Sequence, residues 1–537
     1  MSLRTRDLLL LAVVALAARA IAAILVPWPP FTDPAYYSLI AQRLAEGQGF
    51  TTPVLWSFLE VGSHIPDPAT LPVPSNGHWM PLTSIVAAGS MWLFGPTYPA
   101  GTLPLVVLSA LLVPMTYQVA WELSGSRWTS VVAAVLALFA GPLLIMYPTI
   151  DNFAVFGVTG AGSLYCSTRA VRAARPGPWL VAAGALAGLA TLARIDGVLL
   201  TTAVAAAWFV RRGWSPWRAD NRDAASFAWG FASAVAFVAV LAPWLWRNLS
   251  TFGTALPSTG GHTLWITSYN EQFSIGHDVN VATYLDWGFL NIVGSKATAA
   301  VELVGRTGVL LGGIFLVFFV VGFWRERRRA DLAPFTVYFI VMFAAMTLLF
   351  SFHAPKGAYY HSAPAWLPWA FALAAMGVEP AANWAGRWWR FLRRPATHRF
   401  ITVAGLAGAI VLSLVGSAIL YGQWDRSRIR DLEAAAFLNE HASPRDVFMS
   451  SDPASIHPLT GNPGLAAPFD PFRVTADVVD AYDVKWVIVT RPGPGETDPL
   501  GLWDGAEALD SEGEHPTFLP AEPAFEGDDV RVFRVAD

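Results

Sequence analysis

Charged side chains are scarce in this sequence. They account for 14% of its 537 residues, whereas hydrophobic residues account for 54%, and the mean hydropathy is +0.44. Soluble globular domains have about 25% charged residues, so this composition excludes an ordinary soluble protein. The excess apolar surface predicts a protein that lies in lipid. The net charge of −4 gives no reason to expect a nucleic-acid partner.

Cysteine and lysine are also rare. The single cysteine, Cys166, cannot form an intramolecular disulfide, and thiol redox chemistry is not expected. Lysine accounts for only three of the 35 basic residues, at Lys296, Lys356 and Lys485. Together with abundant Ala, Gly and Trp, this bias indicates a GC-rich bacterial genome. The sequence shows no internal repeat and no Cys/His cluster with metal-ligand spacing.

Long apolar runs recur along most of the chain. Crossing a bilayer core of about 30 Å takes about 20 apolar residues per helix. The first run is longer than a typical signal-peptide core, so we expect a retained anchor. The pattern predicts about eleven transmembrane helices, at 7–26, 101–122, 128–147, 151–173, 178–193, 197–210, 225–247, 299–324, 332–352, 362–378 and 400–421.

Arginine clusters set the expected orientation. By the positive-inside rule the loops that carry them face the cytoplasm, which predicts a multi-pass protein of the bacterial inner (plasma) membrane. The apolar stretch 78–94 would break the alternation of loops as a full span. We interpret it as a helix lying along or dipping into the membrane, with a twelfth crossing as the alternative. The cytoplasmic loops are then 169–175, 211–222, 325–329 and 387–399, and the outer segments are 27–100, 248–298, 353–361 and the chain after 421.

The composition changes abruptly near residue 425, where acidic residues begin to outnumber basic ones. The segment 428–442 has helical apolar spacing, 446–451 and 485–490 are typical of short buried strands, and 529–535 alternates like an edge strand. The chain therefore divides into a mainly α membrane domain at 1–424, with a first outer loop at about 27–100, and a small α/β extracytoplasmic domain at 425–537.

Two carboxylates stand beside predicted outer helix starts. Asp33 follows the first span closely and precedes a helix with apolar spacing, and Asp151 stands at the start of the span 151–173. A helix-capping acid is the simple interpretation of each. A carboxylate in a partly desolvated cleft can also accept a proton from an attacking hydroxyl, so Asp33 is a candidate general base.

Basic and aromatic groups occupy other outer segments. Arg194 and Asp196 lie between two apolar runs, where charges are paired or functional. Arg247 ends a helix, as a snorkelling arginine or as a ligand contact, before a long loop that contains His262. The segment 352–370 groups donors that suit an anionic ligand such as phosphate, or that belong to a solvated loop. They are His353, Lys356, Tyr359, Tyr360 and His361.

Five short motifs follow one another along the chain, and their order is informative. They are TDPAYYSLIAQRLAEGQGF (32–50), MPL (80–82), TIDN (149–152), GLATLARIDG (188–197) and APWLWRN (242–248), the last followed by FG and LP. This order resembles that of the GT-C membrane glycosyltransferases, in particular the protein O-mannosyltransferases and aminoarabinose transferases. The resemblance covers roughly residues 1–420. It implies a sugar taken from a polyprenyl-phosphate carrier and attached to an acceptor outside the cytoplasm.

The resemblance also implies roles for single residues. Asp33 matches the family's first-loop catalytic aspartate, and Asp151 matches its second-loop acid. Arg247 and the loop 353–361 stand where basic groups hold the carrier phosphate, and we count Arg194 and His262 among the donor-binding candidates. Relatives often have Lys-Pro-Pro-Leu where this chain has Trp79-Met80-Pro81-Leu82. His78 is the candidate substitute for the missing lysine.

The expected reaction is attack of an acceptor hydroxyl on the anomeric carbon with inversion, Asp33 acting as the base. The acceptor, a protein, lipid or polysaccharide, and the sugar are left open. No cofactor is required, and a divalent cation held by the carboxylates is a further option whose ligands are unknown. The alternatives are a secondary transporter or lipid flippase, which also has ionisable residues at helix breaks, and a scaffold protein whose soluble tail binds a partner.

Overall fold

A computed structural model describes residues 2–213, 227–257, 262–492, 500–503 and 516–536, without the side chain of His262. Helices account for 70% of it, and a small sheet lies in the C-terminal part. The predicted architecture, a polytopic membrane helix bundle with a small α/β domain, is confirmed.

The first nine helices cover the N-terminal part of the bundle. Most of their bounds fall within a few residues of the apolar runs. They are α1 (Leu3–Leu25), α2 (Thr32–Ala45), α3 (Leu82–Phe94), α4 (Tyr98–Ser124), α5 (Arg127–Leu138), α6 (Leu143–Met146), α7 (Asn152–Arg172), α8 (Gly177–Ala193) and α9 (Leu200–Arg212).

The next seven helices complete the bundle, and two short ones belong to the C-terminal domain, which we define as residues 447–536. They are α10 (Phe227–Phe252), α11 (Val281–Asp286), α12 (Phe289–Leu310), α13 (Phe315–Glu326), α14 (Ala333–Leu348), α15 (Tyr359–Ala385), α16 (Pro395–His441), α17 (Pro453–Thr460) and α18 (Phe472–Tyr482). The 47-residue helix α16 runs through the predicted domain boundary at 424/425.

Five helices in the described part of the chain are long and apolar enough to cross a membrane, or six if a bent pair counts as one span. The remaining predicted crossings correspond to shorter or more polar helices. The helix α3 has 13 residues, about 20 Å, which is too short to cross alone. Its end exposes Trp92, Leu93 and Phe94, which fits a helix that dips into the membrane.

Glycines break two runs that the sequence pattern predicts to be continuous. The predicted span 299–324 is the pair α12 and α13, which meet at 101°. Gly312 and Gly313 lie between them with φ of +74° and +76°, and a Cβ on Gly312 would lie 2.3 Å from that of Ala409. Glycine is thus needed at this bend. The predicted span 128–147 likewise breaks at Gly141, with φ of +56°.

The strands form one two-stranded ribbon and one six-stranded sheet in the order β2-β5-β4-β6-β8-β7. The strands β2, β5, β4 and β6 are parallel neighbours, whereas β8 is antiparallel to both β6 and β7. The prediction of an edge strand at 529–535 is therefore wrong, because β7 covers β8. The strands are β1 (Thr51–Thr52), β2 (Val54–Leu55), β3 (Val73–Pro74), β4 (Val447–Ser450), β5 (Gly464–Ala466), β6 (Val484–Thr490), β7 (Phe525–Glu526) and β8 (Val530–Arg534).

The strand β2 comes from the first loop (27–100), some 400 residues before its partner β5. Val54 and Leu55 pair with Gly464 and Leu465. The first loop and the C-terminal domain thus share one sheet, which joins the N-terminal segment that carries Asp33 to the other end of the chain.

Ion pairs and a hydrogen bond join three arginine-rich segments at the C-terminal end of α7. Arg172 donates to Glu122 Oε2 at 3.1 Å and, through Nε, to Asp331 Oδ2 at 2.8 Å. Arg329 also donates to Asp331, and Arg211 donates to the carbonyl of Val171. Because Asp151 caps the opposite end of this 21-residue helix, about 30 Å separates the arginine end from the Asp151 end.

Candidate active site

One large cavity of about 1710 Å³ lies between the helix bundle and the C-terminal domain. Its walls come from the first loop, α12, the segment 350–358 and the strand ends of the C-terminal domain. Small-molecule sites typically enclose about 300–1,000 Å³. The cavity is therefore large enough for two substrates.

Asp33 lines this cavity from the first turn of α2. The helix is capped by the residue Phe31 without a side-chain hydrogen bond, so Asp33 is not the capping residue. Burial, with a smaller contribution from Asp452, raises the pKa of the Asp33 carboxyl to about 6, although the nearby Arg194 opposes this. The simple capping interpretation of Asp33 is wrong at this position.

Asp33, His361 and Asp151 form a group in which the imidazole lies between two carboxylates. His361 Nε2 lies 3.7 Å from Asp33 Oδ2, and its Nδ1 lies 3.5 Å from Asp151 Oδ1. One ligand atom from each residue lies within 4.8 Å of those of the other two. Two carboxylates and an imidazole are a donor set that suits a divalent ion such as zinc or manganese.

The helix starts and ring contacts fix this group. Asp151 is the N-cap of α7 and accepts from the amide of Asn152 at 2.5 Å, and its Oδ2 is buried without a partner within the described chain. His361 contacts Asn152 Oδ1 at 2.8 Å and stacks on Phe153 at 4.2 Å between ring centroids. Asp151 is thus both a cap and a neighbour of the imidazole.

Arg194 and Asp196 line the same cavity as an ion pair. Arg194 Nε donates to Asp196 Oδ1 at 2.7 Å, and Asp196 also accepts from the hydroxyl of Ser362. The sequence allows either a structural ion pair or a functional charge here. Both interpretations apply, since Arg194 is paired and still faces the cavity.

The segment before α15 brings Lys356 and His353 to the cavity wall. Lys356 Nζ lies 5.5 Å from the ring centroid of Tyr269, and His353 Nε2 lies 3.3 Å from Gln272 Oε1. Burial lowers the pKa of His353 to about 4 and that of His78 to about 3. His78 lines the cavity, and its lowered pKa disfavours the charged form that would replace a lysine.

Solved structures share this fold. ArnT from Cupriavidus metallidurans in the apo state is 14% identical, with a TM-score of 0.57 over 99% of this chain and 98% of that one. Its complex with undecaprenyl phosphate gives 14% and 0.56 over the same shares. The Archaeoglobus fulgidus oligosaccharyltransferase with Zn and sulfate is 15% identical, with a TM-score of 0.55 over 89% and 68%. This chain has the GT-C glycosyltransferase fold.

No family model and no curated protein matches the sequence. The GT-C fold is therefore recognised through the architecture and through the order of short motifs.

The resemblance places Arg247, Tyr359 and Tyr360 at the donor. None of these three described residues lines the cavity. Arg247 donates to the carbonyls of Ser75 at 2.8 Å and Phe50 at 3.3 Å, so it supports the first loop. Tyr359 shares a hydrogen bond of 2.7 Å with Thr307, and Tyr360 lies under Arg306. The structure thus does not bring Arg247, Tyr359 and Tyr360 to the cavity wall, their contact with a donor stays a prediction, and the side chain of His262 lies outside the described residues.

Several charged residues of the cavity are absent from the candidates that the sequence suggests. Glu302 and Arg306 lie one turn apart on α12 and form an ion pair of 3.6 Å. Both lie inside the predicted span 299–324, where two charges one turn apart are a signal that could have found them. The other residues come from the end of α16 and from the C-terminal domain. They are Arg428, Arg430, Asp431 and Asp452.

Proposed function

We propose that this chain is an integral membrane glycosyltransferase that uses a polyprenyl-phosphate-linked sugar and transfers it to an acceptor hydroxyl. One observation carries the proposal: a carboxylate of raised pKa, Asp33, lies in the same cavity as Arg194, Arg306 and Lys356. Such a cavity can hold a base and a leaving phosphate at once. The GT-C fold of ArnT, solved with undecaprenyl phosphate, supports the donor class.

The proposed mechanism is a single displacement. The acceptor hydroxyl attacks the anomeric carbon, the bond from that carbon to the phosphate oxygen breaks, and Asp33 takes the hydroxyl proton. One displacement inverts the configuration at the anomeric carbon. Charge that develops on the leaving phosphate is stabilised by fixed cations, for which Lys356 and Arg306 are the candidates.

Two features support a lipid-linked donor over a free sugar nucleotide. The cavity-facing side of α12 carries Asn291, Ser295 and Glu302, while Phe289 and Val301, which lie outside the cavity lining, are exposed to 76% and 74%. An apolar helix face beside a polar cavity would let a prenyl chain stay in lipid while its head group enters. The cavity lies at the end of α7 opposite the arginine cluster, so the positive-inside rule favours the extracytoplasmic side of a bacterial inner membrane.

The group of Asp33, Asp151 and His361 also supports a second candidate role, that of a divalent cation site. The close spacing of the three donors and the unpartnered Asp151 Oδ2 favour it. A bound cation would supply Lewis-acid stabilisation of negative charge. Metal content of the purified protein before and after chelation, compared with that of His361→Ala, tests this role, and an unchanged content in the variant would exclude it.

The test of the function uses purified protein in lipid nanodiscs. We expect polyprenyl phosphate to be released from a synthetic polyprenyl-phosphate sugar, and each of several sugars is offered in turn. A secondary transporter or flippase would instead move the intact lipid across a vesicle bilayer without cleaving it. Lipid movement without any release would refute the transferase.

A further inference from the structure

The C-terminal domain turns the ends of its parallel strands toward the cavity. The strands β5, β4 and β6 are neighbours and run parallel. The cavity is lined by Ala467 just after β5, by Ser451 and Asp452 just after β4, and by Thr490 at the end of β6. Ligands of open parallel sheets bind outside the carboxyl ends of the strands. This edge is therefore where a ligand of the domain is expected.

The same edge lies next to the proposed catalytic base. Asp452 Oδ2 accepts from Thr32 Oγ1 at 2.9 Å, and Thr32 is the residue before Asp33. A molecule bound at the strand ends would thus present its groups close to Asp33. The cavity volume of about 1710 Å³ leaves room for it beside a donor head group.

The polar groups at this edge suit hydroxyls. Asp431 and Asp452 supply carboxylate oxygens that accept hydrogen bonds. Oδ2 of Asp452 already accepts from Thr32 and Ser455, whereas its Oδ1 is buried without a partner within the described residues. Ser451 Oγ and Thr490 Oγ1 lie 3.2 Å apart and can both donate and accept. The side chain of Asp431 pairs only loosely with Arg430, at 3.8 Å. The ring of Trp424 adds an apolar surface beside them.

Other acceptor classes fit this wall less well. An extended peptide is commonly bound by an exposed strand edge, but β5, β4 and β6 each have a strand on both sides. An apolar lipid would find carboxylates and hydroxyls here. A phosphorylated acceptor would meet Asp431 and Asp452 as well as Arg428 and Arg430, so this wall offers it no net positive charge.

We propose that the carboxyl edge of β5, β4 and β6 is the acceptor subsite and that the acceptor is a saccharide. The proposal rests on the transferase function proposed above and names the chemical class of its acceptor. Asp452 and Thr490 bind the acceptor sugar, and the hydroxyl to be glycosylated lies toward Asp33.

Binding is measured without donor, by saturation-transfer NMR on the full chain in nanodiscs. The probes are maltotetraose, mannotetraose and galactotetraose, with a serine- and threonine-containing hexapeptide for comparison. We expect at least one tetrasaccharide to bind. Asp452→Asn and Thr490→Val should each weaken that binding about tenfold, as expected for one lost hydrogen bond of about 1.4 kcal/mol. Asp480→Asn, an exposed acid on α18 of the same domain, is the matched control and should bind normally.

Three results would overturn the acceptor proposal: no tetrasaccharide binds, the hexapeptide binds in their place, or both variants bind like the wild type. Hydrolysis of the donor, in which water takes the place of the acceptor hydroxyl and the polyprenyl phosphate leaves, is followed separately. If the wild type binds no saccharide but still hydrolyses the donor, the acceptor subsite alone is refuted. Saccharide binding without release under any condition refutes the proposed transferase.

Discussion

Replacing Asp33 by Asn separates a catalytic role from a structural one. Asparagine keeps the size of the side chain and its ability to accept hydrogen bonds, but it cannot take up the proton of an attacking hydroxyl. A positioned general base contributes about 10²–10⁴-fold, which corresponds to about 3–5 kcal/mol of activation free energy. We expect Asp33→Asn to lower transfer by that factor.

The stability of the same variant should change little. Asp33 does not cap α2 through its side chain, so the carboxylate contributes at most the favourable charge of a first-turn acid. That charge contributes about 0.3–1 kcal/mol, and burial of the ionised form offsets part of it. The expected loss in the free energy of unfolding is therefore below about 1 kcal/mol.

The assay follows the initial rate of polyprenyl phosphate release in nanodiscs, with thermal unfolding measured on the same preparations. Glu46→Gln makes the same chemical change at the exposed end of the same helix, and it should retain full activity. Wild-type turnover in a well-folded Asp33→Asn protein would show that Asp33 is not the base. Asp151 would not replace it easily, because its carboxylate is fully buried.

Three further predictions concern charge in and around the site. Lys356→Ala should raise the KM for the donor, because a lost charge-assisted bond to phosphate is worth about 1.5–3 kcal/mol, and an unchanged KM would remove Lys356 from the donor site. Arg172→Ala should lower the free energy of unfolding by about 1.5–3 kcal/mol, because Glu122 and Asp331 lose charge-assisted hydrogen bonds while keeping their other partners; the exposed Arg325→Ala is the control, and equal losses would contradict this reasoning. Burial raises the pKa of Glu60, which accepts from Tyr36 Oη, from 4.5 to about 8. The folded state therefore holds a proton that the unfolded chain releases, and stability should fall as the pH rises from 4.5 to about 8. Thermal unfolding at pH 5 and pH 8 should show this loss in the wild type and a smaller one in Glu60→Gln.

The sequence pattern predicts the membrane bundle well because a bilayer imposes a simple length rule on apolar runs. It fails where backbone geometry depends on distant packing. The bend between α12 and α13 requires two glycines with positive φ, and the packing of Gly312 against Ala409 lies about a hundred residues away in the chain. Local hydropathy does not depend on that contact, so the sequence pattern predicts one continuous helix over 299–324.

The candidate site can be predicted only in part from the sequence, for a similar reason. Asp33, Asp151 and Arg194 stand out because each is a charge beside a long apolar run. Arg247 stands out equally, yet its carbonyl partners belong to the first loop, 172 and 197 residues earlier. Asp452 and Asp431 give no local signal, because their place in the cavity depends on how a distant sheet docks.

Docking of the C-terminal domain should also hold the segment that carries Asp33. Ala454 of α17 is fully buried in one cluster with Tyr36 and Ile40 of α2. Ala454→Glu would bring a charged side chain into this apolar contact, where an unpaired charge is very unfavourable. We expect α2 to loosen while the rest of the bundle stays folded.

Trypsin can report on this loosening at a single bond. Arg43 is the only trypsin site between residues 27 and 100, and its guanidinium donates to Thr51 Oγ1 at 2.8 Å. Cleavage after Arg43 should be faster in Ala454→Glu than in the wild type, because a protease needs an unfolded segment to bind. Asp480→Asn, in the same domain but away from this contact, should be cleaved at the wild-type rate. Equal cleavage in all three proteins would mean that α2 keeps its place without the C-terminal domain, and that Asp33 is positioned by the bundle alone.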